Sequence, residues 1–379
     1  MSEQPNPHSY READTQLTGE ISCVSCGASL KYKPGTDHLS CNYCGAENEI
    51  PTIPAEIREM DFEEYITRFE DSAPVSAVMT VQCKNCSATT SLPPNLTSMD
   101  CPYCATPLIL EQRKEEHIIT PHAVLPFRLD RNETSQKFGI WLKGLWFAPN
   151  KLKKMGLVTD SIKGVYTPYW TYDSNAESHY VGQRGTWHYR TVSYTAVENG
   201  KTVSRTRQER YTVWTMTSGT VRNLFDDILV NASHSLPRDF ADQLEPWPLD
   251  QIKSFTPEFL SGFLSEKYQV DLKNGFSFAK TKMEGVINDT VRRDIGGDEQ
   301  RVMSLSTEYR DVTFKHILLP IYISAYRYNN KVYRFLVNGA TGKVKGERPW
   351  SVWKIIFAVL GVLLILGLVA VIYSATAQN

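Results

Sequence analysis

Eight cysteines, all that the chain contains, fall into two copies of one pattern. Cys23-Val-Ser-Cys26 is followed after fourteen residues by Cys41-Asn-Tyr-Cys44, and Cys83-Lys-Asn-Cys86 after another fourteen by Cys101-Pro-Tyr-Cys104. Two thiolates on one tight turn can aim at a single point, and a second such turn completes the tetrahedron of a closed structural Zn²⁺ site. The stretch between the pairs suits a short hairpin that brings the turns together. The chemistry is metal binding that scaffolds rather than catalyses, with two Zn²⁺ per chain expected. Iron is the minor alternative for four thiolates. Disulfides would suit a secreted protein, but Met1 to Gln16 is polar and has no apolar run of the kind a signal peptide carries. A thioredoxin-like redox pair would need one Cys-x-x-Cys, not four in matched pairs. Gly27 and Gly45 directly follow the second thiolate of each turn in the first copy, where the chain needs a positive φ; Ser87 and Ala105 hold those places in the second.

The elements that position these turns divide the chain. Residues 1–18 read as a polar tail, 19–51 as the first zinc ribbon and 76–112 as the second. Between them, in a linker over 52–75, Ala55 to Glu70 predicts an acidic amphipathic helix with Ile57, Met60, Phe62, Tyr65, Ile66 and Phe69 available for burial. Residues 118–349 are numerous enough for a core of their own, and their Tyr, Trp, Val and Thr favour strands. Ile355 to Tyr373 runs nineteen residues without a charge, long enough to cross a bilayer. Trp350, Trp353 and Tyr373 bracket it as interfacial aromatics do, and Lys343, Lys345, Arg348 and Lys354 precede it. The positive-inside bias then keeps 1–354 in the cytoplasm and sends only the uncharged stub 374–379 across the inner membrane.

Charge narrows the partners. Residues 1–110 hold fifteen Asp and Glu against six Lys and Arg, a net −9, and the remainder is +8. A ribbon region of that sign repels phosphates, so nucleic-acid binding through the ribbons is disfavoured and a protein partner is the better expectation.

The large region carries cues of an internal duplication, over 124–182 and 268–345. Val124–Asp130 and Tyr268–Leu272 each read as a strand leading into a helix, Glu133–Leu145 and Phe276–Arg293. Strand cues follow at Val165–Tyr172 and Leu318–Tyr326, with Pro168 and Pro320 in matching places, and second strands at Ser178–Val181 and Val332–Val337. These units predict an α+β fold with helices on antiparallel sheet. Between them, Thr186–Thr195 and Thr202–Thr217 alternate like a long hairpin around Glu198-Asn-Gly-Lys201.

No catalytic pattern stands out in this region. There is no phosphate-binding loop, no nucleophile elbow and no His-Glu-x-x-His. His117, His122, His179, His188, His234 and His316 are scattered without ligand spacing. Asp226-Asp227 and Asp294-Ile-Gly-Gly-Asp298 are acidic clusters for which turn and cap duty is the simpler reading. Trp141 to Lys154 mixes aromatics with four lysines; contact with an anionic membrane face is one reading, and packing of Trp and Phe into the core is the simpler one.

With Gly144–Asn150, Gly164–Trp170, Phe225–Leu229, Asp294–Asp298, Asp311–Pro320 and Gly346–Trp350 added to the paired ribbons, nearly the whole chain resembles the bacterial TFIIB-type zinc-ribbon membrane proteins, often labelled primosomal protein N′-like. The resemblance implies a tail-anchored protein encoded near flotillin-like (SPFH) and phage-shock-type proteins, without naming a functional residue. The helicase label implies an ATPase motor that this sequence lacks. The expected function is therefore a membrane-anchored adaptor with no enzymatic activity, its metal ligands Cys23, Cys26, Cys41, Cys44, Cys83, Cys86, Cys101 and Cys104. A membrane-face enzyme using Asp294, Asp298 and His316, or a small-ligand-binding protein acting through the same large region, is the alternative. Each ribbon is too short to bury a self-sufficient core, so metal is expected to supply most of its folding free energy.

Overall fold

The computed structural model describes residues 21–50, 57–69, 75–85, 87–91, 101–103, 106, 108, 114–150, 162–198, 201–328 and 331–376. Its first unit is a small antiparallel meander, β1 (Lys31–Tyr32), β2 (His38–Ser40) and β3 (Glu47–Glu49), which holds the first two cysteine turns. The chain then runs through β4 (Met60–Asp61) into one helical turn, α1 (Phe62–Glu64), which continues as a π-helical turn over Tyr65–Phe69. The acidic helix expected from Ala55 thus starts only at Phe62. Met60–Asp61 is drawn into strand pairing with Phe314 and Thr313, and Asp61 accepts the Glu64 N–H as the helix cap.

Next come β5 (Val75–Gln82), β6 (Thr89–Ser91), β7 (Lys114–Ile119), β8 (Ala123–Val124), α2 (Arg131–Gly144), β9 (Lys163–Glu198), β10 (Lys201–Asn231) and a short α3 (Arg238–Asp242). After these lie β11 (Lys253–Ser254), β12 (Leu264–Glu266), α4 (Leu272–Ile295), β13 (Glu299–Tyr328), β14 (Lys331–Asn338), β15 (Val344–Gly346) and α5 (Val352–Thr376). Strands β4 to β15 join one twelve-stranded sheet, so the fold is mixed α+β with a large, mainly antiparallel sheet.

The long strands exceed expectation. Val165–Tyr172, Ser178–Val181 and Thr186–Thr195 merge into one strand, β9, of 36 residues. β9 and β10 pair in the register that the sequence implies, with Lys201 opposite Glu198; Asn199 and Gly200 lie outside the described residues. β13 lies along the other edge of β9 from Ile323 opposite Lys163 to Glu299 opposite Gly185. Past that point β9 and β10 continue as a two-stranded arm. Tyr268–Leu272 is not a strand: the strand lies earlier, at β12, and α4 already starts at Leu272.

Helix α4 explains the inner end of the arm. Its buried residues Leu272, Phe276, Ala279, Met283, Ile287, Val291 and Ile295 recur every three or four positions, one stripe of an α-helix. That stripe packs on Trp170, Tyr172, Tyr180, Val221 and Phe314. Gly275 lets the helix approach, because a Cβ there would collide with the Tyr172 hydroxyl and come within 2.9 Å of the Trp170 ring. Gly275→Ala is expected to destabilise the protein by about 1–3 kcal/mol, the usual penalty for overpacking, read as a lower unfolding midpoint in urea.

Both cysteine regions share cores with the large region. Cys23, Leu30, Tyr32, Leu39, Cys41 and Ile50 pack with Phe127, Tyr166, Phe259 and Leu260. Val81, Cys83, Cys101 and Tyr103 pack with Val165, Tyr169, Ile317 and Leu319. Helix α5 joins none of these cores; no residue of its apolar window, Val352–Ala370, is buried, and the window is long and apolar enough to cross a membrane.

Candidate metal centre

Backbone hydrogen bonds shape the cysteine turns of the first cluster. In the first, the Cys23 N–H donates to Ala28 O at 2.7 Å and the Gly27 N–H donates to Cys23 O at 2.8 Å. In the second, Cys41 and Gly45 make the same two bonds, to Ala46 and Cys41. Gly27 and Gly45 take φ of +73° and +74°, the left-handed conformation that glycine adopts at least cost. The turns meet so that Cys23 Sγ lies 3.7 Å from Cys44 Sγ and Cys26 Sγ lies 3.5 Å from Cys41 Sγ. All four sulfurs lie within 4.8 Å of one another. A tetrahedral centre with metal–sulfur bonds of about 2.3 Å would space them about 3.8 Å apart. The four residues therefore fit a metal ion.

The electrostatics favour thiolates at Cys23 and Cys41, whereas at Cys26 the lowering backbone bond from Ala28 is outweighed by hydrogen bonding to the Cys44 and Cys41 sulfurs, which pushes the thiol up to about 12. Burial pushes the Cys23 thiol up, but backbone bonds from Cys26 and Ser25 and the neighbouring thiols bring it down to about 6. Backbone bonds from Cys44 and Tyr43 lower Cys41 in the same way. Asn48 supports the cluster from β3: its Nδ2 lies 3.9 Å from Cys23 Sγ, and its Oδ1 accepts the Val24 N–H. At the outer rim the turns present Val24 and Tyr43, 92% and 85% exposed.

The second copy repeats the backbone where it is described. The Cys83 N–H donates to Ala88 O at 2.9 Å, Ser87 N–H to Cys83 O at 2.8 Å, and Cys101 N–H to Thr106 O at 2.8 Å. Ser87 takes φ of +59°, so it occupies the position of Gly27 and Gly45 with a side chain in place. Cys83 and Cys101 are buried. Cys86, Cys104 and Ala105 lie outside the described residues.

Tyr103, in the last turn, ties this copy to the sheet. Fully buried, it donates its hydroxyl to Glu266 of β12, a carboxylate that also accepts from the Ser233 hydroxyl at 2.7 Å and from Ser235. Nothing in the spacing of Glu266 predicts this role. Tyr103→Phe removes one donor from a buried carboxylate and is expected to cost about 1–3 kcal/mol. Thermal unfolding should register the loss while the metal content per chain stays unchanged.

A second polar group joins the base of the arm to β4. Glu59, Asp173 and Asp226 bring carboxylate oxygens within 4.8 Å of one another. Lys315 of β13, nearly buried, lies 2.9 Å from Glu59 Oε1 and 2.8 Å from Asp227 Oδ1, so the cation here is an ammonium. Asp227 and Asp311 sit at bulges in β10 and β13 with φ of +52° and +51°. Of these residues only Asp226-Asp227 stands out in the sequence; β4 places Glu59 beside them across a separation that sequence reading does not bridge.

The residues considered for catalysis do not form one centre. Asp294 accepts the Tyr180 hydroxyl, and Asp298 accepts the Trp187 N–H at 2.8 Å. Gly296 and Gly297, both at positive φ, turn the chain from α4 into β13, so this motif caps and turns. His316 pairs with Trp170, ten residues along β9 from Tyr180, or about 33 Å of strand. It is buried against His122, whose Nδ1 accepts the His316 N–H at 2.9 Å. Burial lowers His122 to about 4, and burial with the neighbouring His122 lowers His316 to about 3, so both rings are neutral at physiological pH.

No family model matches the chain. It is 27% identical over 338 residues to an uncharacterized protein, YdjG, of Bacillus subtilis (strain 168), across 88% of this chain and 91% of that protein.

Proposed function

We propose that the protein is a membrane-anchored zinc adaptor: two Cys₄ ribbons, each holding Zn²⁺, dock a cytoplasmic protein at the inner membrane face. The observation that carries this reading is the outer rim of the first cysteine cluster. A closed four-thiolate site has no open coordination position for chemistry. Yet its two turns offer Val24 and Tyr43 to solvent, while Leu30, Tyr32, Leu39 and Ile50 of the same unit are buried. Exposed apolar and aromatic side chains on a rigid turn are the raw material of a protein interface. Helix α5 supplies the anchor, a single pass with residues 1–354 in the cytoplasm, and the resemblance stated above points to flotillin-like or phage-shock-type partners.

The reading extends to the architecture, which we take as an internal duplication. β8 pairs in parallel with β13 at Ile317–Leu318, and β12 pairs in parallel with β9 at Val165–Tyr166. Asp130 and Asp271 cap the following helices at the same spacing from β8 and β12. The separation of Asp294 and Asp298 from His316 supports a non-enzymatic role.

The test is affinity purification of the full-length protein from detergent-solubilised membranes, comparing wild type with Val24→Asp/Tyr43→Ser. Loss of specific partners with zinc content intact supports docking through the rim. An unchanged partner set, in this variant and in one with all eight cysteines replaced, sinks the adaptor reading.

A further inference from the structure

The loop that follows α2 does not bury all the aromatics expected of it. Leu142 and Leu145 are buried and Trp141 packs against Gly346, but Trp146 is 77% exposed. The same loop grips the start of α5. The Ser351 N–H donates to Phe147 O at 2.8 Å, and the Phe147 and Trp350 rings lie 6.1 Å apart. Lys354 Nζ donates to Trp146 O at 3.2 Å, Ala148 O at 2.8 Å and Asn150 Oδ1 at 2.7 Å.

Lys354 directly precedes the uncharged run Ile355–Tyr373. In a spanning helix it therefore stands where hydrocarbon gives way to headgroups. Helical side chains lean toward the N-terminus, which draws this ammonium back from the acyl chains and onto the carbonyls of the loop. The Trp146 carbonyl, bonded to that ammonium, then lies within the interfacial layer, which is only about 5–7 Å thick on each side of a bilayer. An indole is among the side chains most favoured there. Trp350 and Trp353, 55% and 71% exposed at the same end of the helix, continue the band.

We infer that the Trp146–Asn150 loop is a second membrane contact, with the Trp146 indole inserted at the headgroup–acyl boundary of the bilayer beside Trp350 and Trp353. The folded body then rests on the membrane at a set height and does not hang from a free tether. The inference rests on the anchoring reading above.

Its test uses the full-length protein in phosphatidylcholine–phosphatidylglycerol vesicles whose acyl chains carry bromine just below the headgroups, which quenches nearby indoles. Wild type, Trp146→Phe and Trp353→Phe are compared; each variant removes one of the eight tryptophans. The expected result is that both variants lose a similar share of the quenchable emission. Loss with Trp353→Phe but not with Trp146→Phe would leave the anchor standing and overturn the second contact. No loss with either would show that α5 is not in the bilayer, and would overturn both.

Discussion

Removing metal from the full-length protein is expected to open the two cysteine regions and the faces of the sheet beneath them, while α4 and the inner arm stay closed. Zinc in the two proposed sites would contribute on the order of 10–16 kcal/mol each to folding at neutral pH. The strands around the first cluster span two or three residues each and cannot replace that. The loss travels because the cysteines are core residues. Cys23 and Cys41 share a core with Phe127, Tyr166 and Phe259, and Cys83 and Cys101 share another with Val165, Ile317 and Leu319. Among the described residues, the core under α4, from Trp170 to Phe314, contains no cysteine. Hydrogen exchange with and without chelator should show faster exchange through 21–50, 75–91 and 123–129, with Leu272–Ile295 unchanged. Cys41→Ser should halve the metal content and reproduce only the part of the pattern around Phe127. Uniform protection after chelation would mean that metal does not hold these units, and loss of protection in α4 would mean that the cores are one.

Lys315→Met is expected to lower stability by about 1–3 kcal/mol, because Glu59 and Asp227, partly exposed carboxylates, lose the buried ammonium between them. For a chain of 379 residues that is a fall of roughly 1–4 °C in the unfolding temperature. Burial works against the Lys315 charge, but Asp227 and Glu59 more than compensate and hold its proton tighter than usual. The pH dependence follows from the carboxylates. Burial and the hydrogen-bonded Glu59 push Asp173 from 3.8 up to about 7. The bond from Asp173, helped by Lys315 and Thr313 against desolvation, brings Glu59 down to about 2. A raised folded-state value means that the Asp173 contribution is complete below about pH 4 and is lost as pH climbs through 7. Asp173→Asn keeps the carbonyl that accepts the Asp227 N–H and removes the titration. Its unfolding temperature should therefore gain on wild type between pH 5 and pH 8. A difference that is flat across that range would show that Asp173 is already ionised at pH 5.

The cysteine turns were legible because metal ligation demands residue type, spacing and glycine in one short stretch; Gly27 and Gly45 announce the left-handed position that Ser87 fills without announcing it. The pairing of β9 with β10 across Asn199-Gly200 was legible for the same local reason. What the sequence conceals is non-local. Tyr103 and Glu266 are 163 residues apart, and neither is unusual in its own neighbourhood. Glu59 reads as one face of an acidic helix until β13 takes Met60–Asp61 as a strand. The continuity of β9 is likewise invisible, since the glycines and serines within it resemble breaks until β10 and β13 supply hydrogen bonds on either side.

The three-stranded base of the arm has a consequence in time. β10 pairs with β9 through a two-residue connection and can zip as soon as both are synthesised. β13 must find the opposite edge of β9 from more than a hundred residues further along the chain. Such distant pairing makes folding slow and leaves a long unsatisfied strand edge in the interval. Glu299–Ile323 is the last stretch that edge needs, and it emerges shortly before the apolar residues of α5. With α5 anchored as proposed, closure of the sheet and delivery of the helix to the membrane would be consecutive events, and a delay in the first would send an open strand edge to the bilayer.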